Sequence, residues 1–284
     1  MLRRFEVHHP TTVEEAVALR SQYGDDAALY AGGTELLLAM KLGVARWRHL
    51  IDTKRIAALG GVRESAGAVR IGATVTHWDL ERDPLLARLL PAFARLEGNV
   101  ANVRVRAAGT LAGNIAFAEP HADPPALLIA LGARVMVRGA KGSRAVALED
   151  FVTGMYETSL AADELIEAIE IPVPKAGTRA SYIKFQILER PSVGVAIVGE
   201  LRGGTFASAP VVVVGAVDEM PRRADTASLR GADARSRETA DAVAAAARSA
   251  VEPVSDLAGT EEYKRHLVGV FARRALTQLL EEAA

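Results

Sequence analysis

No cysteine occurs anywhere in this 284-residue sequence. Disulfides and thiolate-bound iron–sulfur clusters are therefore excluded from the chain itself. Half of the residues are hydrophobic, yet no apolar run approaches the ~20 residues of a membrane-spanning helix. The opening MLRRFEVHHPTT lacks the apolar centre of a secretory signal. With the missing cysteine, that makes cytoplasmic placement the expectation. Charge of one sign is also lacking, because 34 basic residues face 35 acidic ones along the chain. A nucleic-acid binder usually selects a basic face, so that class is disfavoured. Neither the Walker phosphate loop, which needs GKS or GKT, nor the Rossmann G-x-G-x-x-G fingerprint is present. There is no internal repeat, and an alanine-rich segment near residue 240 is the nearest approach to low complexity.

What is present centres on Val103 to Ala133. A small-residue turn, Gly109-Thr110-Leu111-Ala112-Gly113-Asn114, precedes an apolar run from Ile115 to Ala118. An acidic loop between prolines follows, with Asp123 just before a helix expected over about Pro125 to Leu131. Small residues let a ligand approach the backbone and expose N–H groups to an anion. Asp123 is placed either to cap the helix or to accept hydrogen bonds from a ligand. Alone, this stretch also reads as an ordinary strand-to-helix turn. A second turn, Leu29-Tyr30-Ala31-Gly32-Gly33-Thr34-Glu35, precedes the helical Leu36 to Leu42. Two such turns, each with a threonine, suit the two phosphates of a dinucleotide.

Three units are expected in chain order. Residues 1–59 alternate β–α–β–α–β, opened by a strand at Phe5–His9 and a Thr12-x-x-Glu15 capping box. Residues 60–175 begin with a hairpin over Gly60–Ile71 and include an amphipathic helix from Pro84 to Leu96. They close on a strand from Glu164 to Ile171. Residues 176–284 read as three antiparallel strands, Ser181–Leu188, Val193–Leu201 and Pro210–Val217, and then two helices. In the last helix, Tyr263, Leu267, Val270, Phe271, Arg274 and Gln278 trace the expected buried face.

AGGTE at 31–35, GTLAGN at 109–114, the Pro-x-x-Asp ending at Asp123 and GTEEYKRHLVGVFARRAL at 259–276 together resemble the FAD-binding subunit of molybdenum hydroxylases. That family includes the carbon monoxide dehydrogenase medium subunit and the flavin domain of xanthine dehydrogenase. The resemblance spans nearly the whole chain. It implies a mixed α+β fold: a two-lobed FAD-binding domain of the vanillyl-alcohol-oxidase (PCMH-like) type, followed by a small α+β domain with a three-stranded antiparallel sheet. It also implies an oxidoreductase subunit that passes electrons from a partner's [2Fe-2S] clusters through FAD to an external acceptor. A large partner would carry the molybdenum cofactor, in a heterotrimer or a dimer of heterotrimers.

The family's FAD contacts carry over to Leu29, Tyr30, Ala31, Gly32, Gly33, Thr34, Glu35, Leu36, Thr110, Ala112, Gly113, Asn114, Asp123, Ile166 and Lys184. Pyrophosphate binding is expected from the N–H groups of Gly32 to Thr34 and of Ala112 to Asn114. Two departures stand out. Ala112 replaces the usual glycine, and Thr34-Glu35 replaces the Gln-Ser of the carbon monoxide dehydrogenase branch, which argues against carbon monoxide as the assembly's substrate. Glu35 serves either the cofactor or its helix N-terminus. Arg106 is expected to brace the loop through Glu119, and His121 to be structural. Neither His8-His9 nor His77 has metal-site spacing, and no catalytic side chain is expected. A self-contained FAD-dependent oxidoreductase and a cofactor-free scaffold subunit are the alternatives.

Overall fold

The computed structural model describes residues 2–187 and 190–281. Strands Glu6–His8, Ala27–Tyr30 and His49–Asp52 form a parallel sheet with the His49–Asp52 strand in the middle. Helices Val13–Tyr23 and Thr34–Leu42 provide the crossovers. Parallel pairing requires such crossovers, as the β–α–β–α–β reading anticipated. The Thr12 hydroxyl accepts from the Glu15 N–H at 3.1 Å. The Glu15 carboxylate reaches back one residue further than expected, to the Thr11 N–H at 2.7 Å.

A five-stranded antiparallel sheet follows, in the order Val62–Ser65, Ala68–Gly72, Leu165–Pro172, Arg134–Gly139 and Gly142–Ala147. The helix expected over Pro84–Leu96 is two helices, Pro84–Leu89 and Pro91–Glu97. Pro91 lacks an N–H and disfavours a helical residue before it. Leu90 accordingly lies outside the helical region, at φ −138° and ψ 54°. The central stretch is also more helical than its small residues suggested. Val103–Ala108 is a helix, the turn is confined to Gly109 and Thr110, and Leu111–Phe117 is a second helix. The Thr110 hydroxyl caps it by accepting the Gly113 N–H at 3.0 Å. This cap turns what read as loop into helix.

Helix Pro124–Ala130 is buried along its whole length. One side meets helices Pro91–Glu97 and Leu111–Phe117, and Ala126 lies against the C-terminal sheet at Gly215. That sheet runs Thr178–Gln186, Pro191–Arg202, Val211–Gly215 and Arg222–Arg223, with Thr205–Phe206 pairing beside it. Its three long strands overlap the expected ones with shifted ends: the first stops at Gln186, with Leu188 outside the described residues, and the third spans only Val211–Gly215 because Ala216 turns to positive φ; two two-residue strands extend the sheet. Strand Pro191–Arg202 is apolar through its middle, from Val193 to Gly199, for a structural reason. Val193, Val195 and Ile197 join the C-terminal core, while Ala196 joins the main core on the other face. A strand buried on both faces has no polar positions to alternate.

Helices Arg237–Ser249 and Glu261–Glu281 cover the outer face of this sheet. The buried face of the long helix is Lys264, Leu267, Val268, Gly269, Phe271, Ala272, Ala275, Leu276 and Leu279, so the expected face is rotated, with only Leu267 and Phe271 kept among the buried residues. Tyr263 is exposed. Alanines 272 and 275 carry the stripe but look neutral in a hydrophobicity pattern. Lys264 is buried because Asp256 and the Val254 carbonyl hold its ammonium at 2.7 and 2.9 Å.

Candidate cofactor site

Strand Ala27–Tyr30 delivers the chain into the turn Ala31-Gly32-Gly33, and Gly33 is the N-cap of helix Thr34–Leu42. Gly33 adopts φ +71°, and a Cβ there would collide with the Tyr30 ring. A Cβ on Gly32 would fall 2.7 Å from the Gly109 Cα and closer still to the Ala108 carbonyl oxygen. Glycine at 32 therefore lets two segments more than 70 residues apart touch backbone to backbone. The Gly109–Thr110 turn is anchored in turn to Thr76 and His77, by the bridge between Thr76 and Thr110 and by the His77 N–H donating to the Gly109 carbonyl at 3.0 Å.

The two turns line one cavity of about 310 Å³, near the lower end of the ~300–1,000 Å³ typical of cofactor pockets. Of the fifteen expected contact residues, all but Lys184 line it. Leu29, Leu36, Ile166 and Phe117 supply apolar wall, with Leu160 and Leu165 beside them. Gly33 offers no side-chain cap to helix Thr34–Leu42, so that helix's first N–H groups are free of a capping acceptor. Such a helix end favours an anion through its dipole and its unbonded N–H groups. On the other turn the donors differ from expectation. Gly113 N–H is held by the Thr110 hydroxyl oxygen, and Asn114 N–H donates to the Thr110 carbonyl at 2.9 Å. The Thr110 hydroxyl keeps its own hydrogen for donation. Ala112 sits within the helix and is not a positive-φ residue, so a methyl there carries no backbone strain.

Asp123 is buried at 4 % exposure beside the cavity but caps nothing. Its carboxylate accepts from the Tyr182 hydroxyl at 2.8 Å and from the Lys184 ammonium at 2.9 Å. Burial pushes the Asp123 carboxyl up from its ordinary value, while Lys184 and Tyr182 pull it back. Burial, with Asp123 adjacent, drives the Tyr182 hydroxyl well up, so it remains a donor. Lys184 is thus removed from the cavity by one residue and acts on it through Asp123. It also donates to the Asn99 carbonyl at 2.7 Å.

Several cavity residues escaped the sequence reading. His77, 2 % exposed, lines the cavity, and its Nδ1 lies 2.5 Å from Oε2 of the fully buried Glu97. The sequence singled out His77 only as lacking metal-site spacing, and nothing in it paired His77 with Glu97, 20 residues away. Arg190 enters from the C-terminal region and sits between Glu35 at 3.1 Å and Glu119 at 3.3 Å. Glu119 also meets His121 Nδ1 at 2.9 Å, which fits a structural histidine. Arg106 braces Glu81 at 3.1 Å and the Val100 carbonyl at 3.1 Å, where Glu119 was expected. Trp47 packs against the small core of the first sheet, and Arg82 stacks on Trp78; neither ring lines the cavity. Arg190 is half exposed, and the buried Glu119 keeps His121 as a partner, so Arg190→Ala is expected to change stability by only about 1 kcal/mol. Urea midpoints at low and high salt check this, and the small difference should shrink as salt rises and screens the exposed Glu35 pair.

The fit to a flavin dinucleotide rests on the cavity's own chemistry. It pairs an uncapped helix end and two threonine hydroxyls with apolar walls. Asn114 Oδ1 is a buried acceptor with no protein partner, and such an atom ordinarily has one.

Comparison with known proteins agrees. Residues 3–174 match the family described as the FAD binding domain in molybdopterin dehydrogenase, and residues 189–279 match the CO dehydrogenase flavoprotein C-terminal domain. The chain is 37 % identical over 275 residues to the carbon monoxide dehydrogenase medium chain of Hydrogenophaga pseudoflava, covering 96 % of each. It is 30 % identical to the nicotine 6-hydroxylase medium subunit of Paenarthrobacter nicotinovorans, covering 95 % of each. A solved carbon monoxide dehydrogenase from Hydrogenophaga pseudoflava, lacking the Mo-pyranopterin moiety of its molybdenum cofactor, superposes with a TM-score of 0.96 at 38 % identity over 100 % of both chains. The chain belongs to the family of FAD-binding medium subunits of molybdenum hydroxylases, of the carbon monoxide dehydrogenase flavoprotein type.

Proposed function

We propose that this subunit holds FAD between its two glycine turns and works in a cytoplasmic assembly with a large molybdenum-cofactor subunit and a small iron–sulfur subunit, as a heterotrimer or its dimer. The backbone junction of Gly32 with Ala108 and Gly109 carries the reading, because it joins both anion-binding turns into one wall. FAD held there would supply the redox chemistry that links the partner's iron–sulfur clusters to an external acceptor. The chain's residues bind and orient. Helix Thr34–Leu42 and the Thr34 and Thr110 hydroxyls would hold the pyrophosphate, Ile166 would pack on the adenine end, and Asp123, backed by Lys184, would meet the ribityl or flavin side. Residues 1–59 and 60–175 form the two flavin lobes, and 176–284 the C-terminal domain. The absence of cysteine supports placing every iron–sulfur cluster in another chain. Among the described residues no helix is long and apolar enough to cross a membrane.

Deflavination of the purified assembly tests the electron path. After reduction with dithionite, the deflavinated assembly should be reoxidised slowly by NAD, oxygen or a quinone, and added FAD should restore the rate. Equal rates with and without FAD would overturn the path.

A further inference from the structure

Strand Glu6–His8 places Glu6 and His8 two residues apart, hence on one face of the sheet. The neighbouring parallel strand begins at His49, in register with Glu6. Three side chains from two strands therefore converge: His8 Nε2 lies 3.0 Å from His49 Nδ1, which lies 3.6 Å from Glu6 Oε2. Their three ligand atoms all fall within 4.8 Å of one another. Tyr23, at the end of helix Val13–Tyr23, stacks on the His49 ring at 3.8 Å and on the His8 ring at 5.0 Å, fixing both planes. A tetrahedral zinc ion with bonds of ~2.05 Å holds two nitrogens about 3.3 Å apart. The observed separations bracket that value.

We propose that Glu6, His8 and His49 form a site for a divalent cation of the zinc class, with two imidazoles and one carboxylate as protein ligands and water completing the shell. Two neutral nitrogens and one carboxylate oxygen suit zinc and its borderline neighbours better than the all-oxygen preference of magnesium or calcium. Glu6 and His49 are partly open to solvent, which gives the ion an entry path. None of the three residues lines the cofactor cavity, so the site stands apart from the flavin reading. The ion would pin the three-residue edge strand to the central strand of its sheet. His49 lies 41 residues from His8, and this separation hid the site from a spacing-based search.

Zinc titration of the full chain, purified without a polyhistidine tag and treated with chelator, tests the site. A single equivalent should bind and raise the thermal midpoint. Cobalt(II) in its place should give the intense visible bands of a four-coordinate ion. His49→Gln and His8→Gln should each lose that equivalent and those bands. Glu6→Gln, an exposed change, should weaken zinc binding without disturbing the fold, and His9→Gln should leave binding intact. An untitratable wild type, or full zinc binding by the His8→Gln/His49→Gln double variant with its fold preserved by circular dichroism, would overturn the site.

Discussion

Gly32→Ala is expected to strip flavin from the chain while leaving most of the fold in place. The new methyl would meet the Ala108 carbonyl and the Gly109 Cα, both backbone atoms with no rotamer to give. The two turns must then separate. Forcing an extra methyl into packed backbone costs about 1–3 kcal/mol. If that strain falls on the cofactor-binding arrangement, FAD affinity drops roughly 5- to 150-fold. The flavin-to-protein absorbance ratio after gel filtration, with a titration of deflavinated protein, reads the effect. Gly60→Ala is the matched control, because a Cβ there finds only ordinary contacts, at 3.5 Å or beyond. Equal flavin retention in the two variants would show that the junction does not hold the cofactor.

Asp123→Ala is expected to cost more in stability than any surface change. It leaves behind a buried Tyr182 hydroxyl and a Lys184 ammonium only 13 % exposed. Stranding one partner of a buried pair costs about 3–5 kcal/mol, a fall in thermal midpoint on the order of 10 °C for a chain of this size. Flavin occupancy should fall with it. Asp123→Asn keeps an acceptor for Tyr182 and should lose less. The pH dependence has a definite sign. Because burial raises the folded carboxyl above its ordinary 3.8, the folded state binds the proton more tightly than the unfolded chain. This group's contribution to stability therefore falls as pH rises from 3.8 through the raised folded value. Urea midpoints across the acidic range should show that slope in wild type and lack it in Asp123→Asn. An unchanged midpoint and unchanged flavin content in Asp123→Ala would remove Asp123 from the site.

The turns were legible because glycine and threonine leave a local signature, and Gly33's positive φ and Thr110's cap are local facts. The parallel first sheet and the Gly60–Ile71 hairpin were legible for the same reason, in alternation and turn chemistry. What escaped was non-local or masked by small residues. Thr110's cap turned Leu111–Phe117 into a helix that its glycine and asparagine argued against. Ala272 and Ala275 carry a buried face without looking hydrophobic. Glu97 beneath His77, Arg190 between Glu35 and Glu119, and Tyr182 on Asp123 are pairings across 20 to more than 150 residues. No single-sequence spacing exposes such pairs.

The most direct test is native mass spectrometry of the assembly, with a visible spectrum of the same sample. One FAD per copy of this chain, with molybdenum and iron–sulfur signals confined to co-purifying subunits, is the expected result. A chain that carries no flavin, or one that holds FAD and turns over a substrate with no partner present, would contradict an electron-transfer subunit built around the two joined turns.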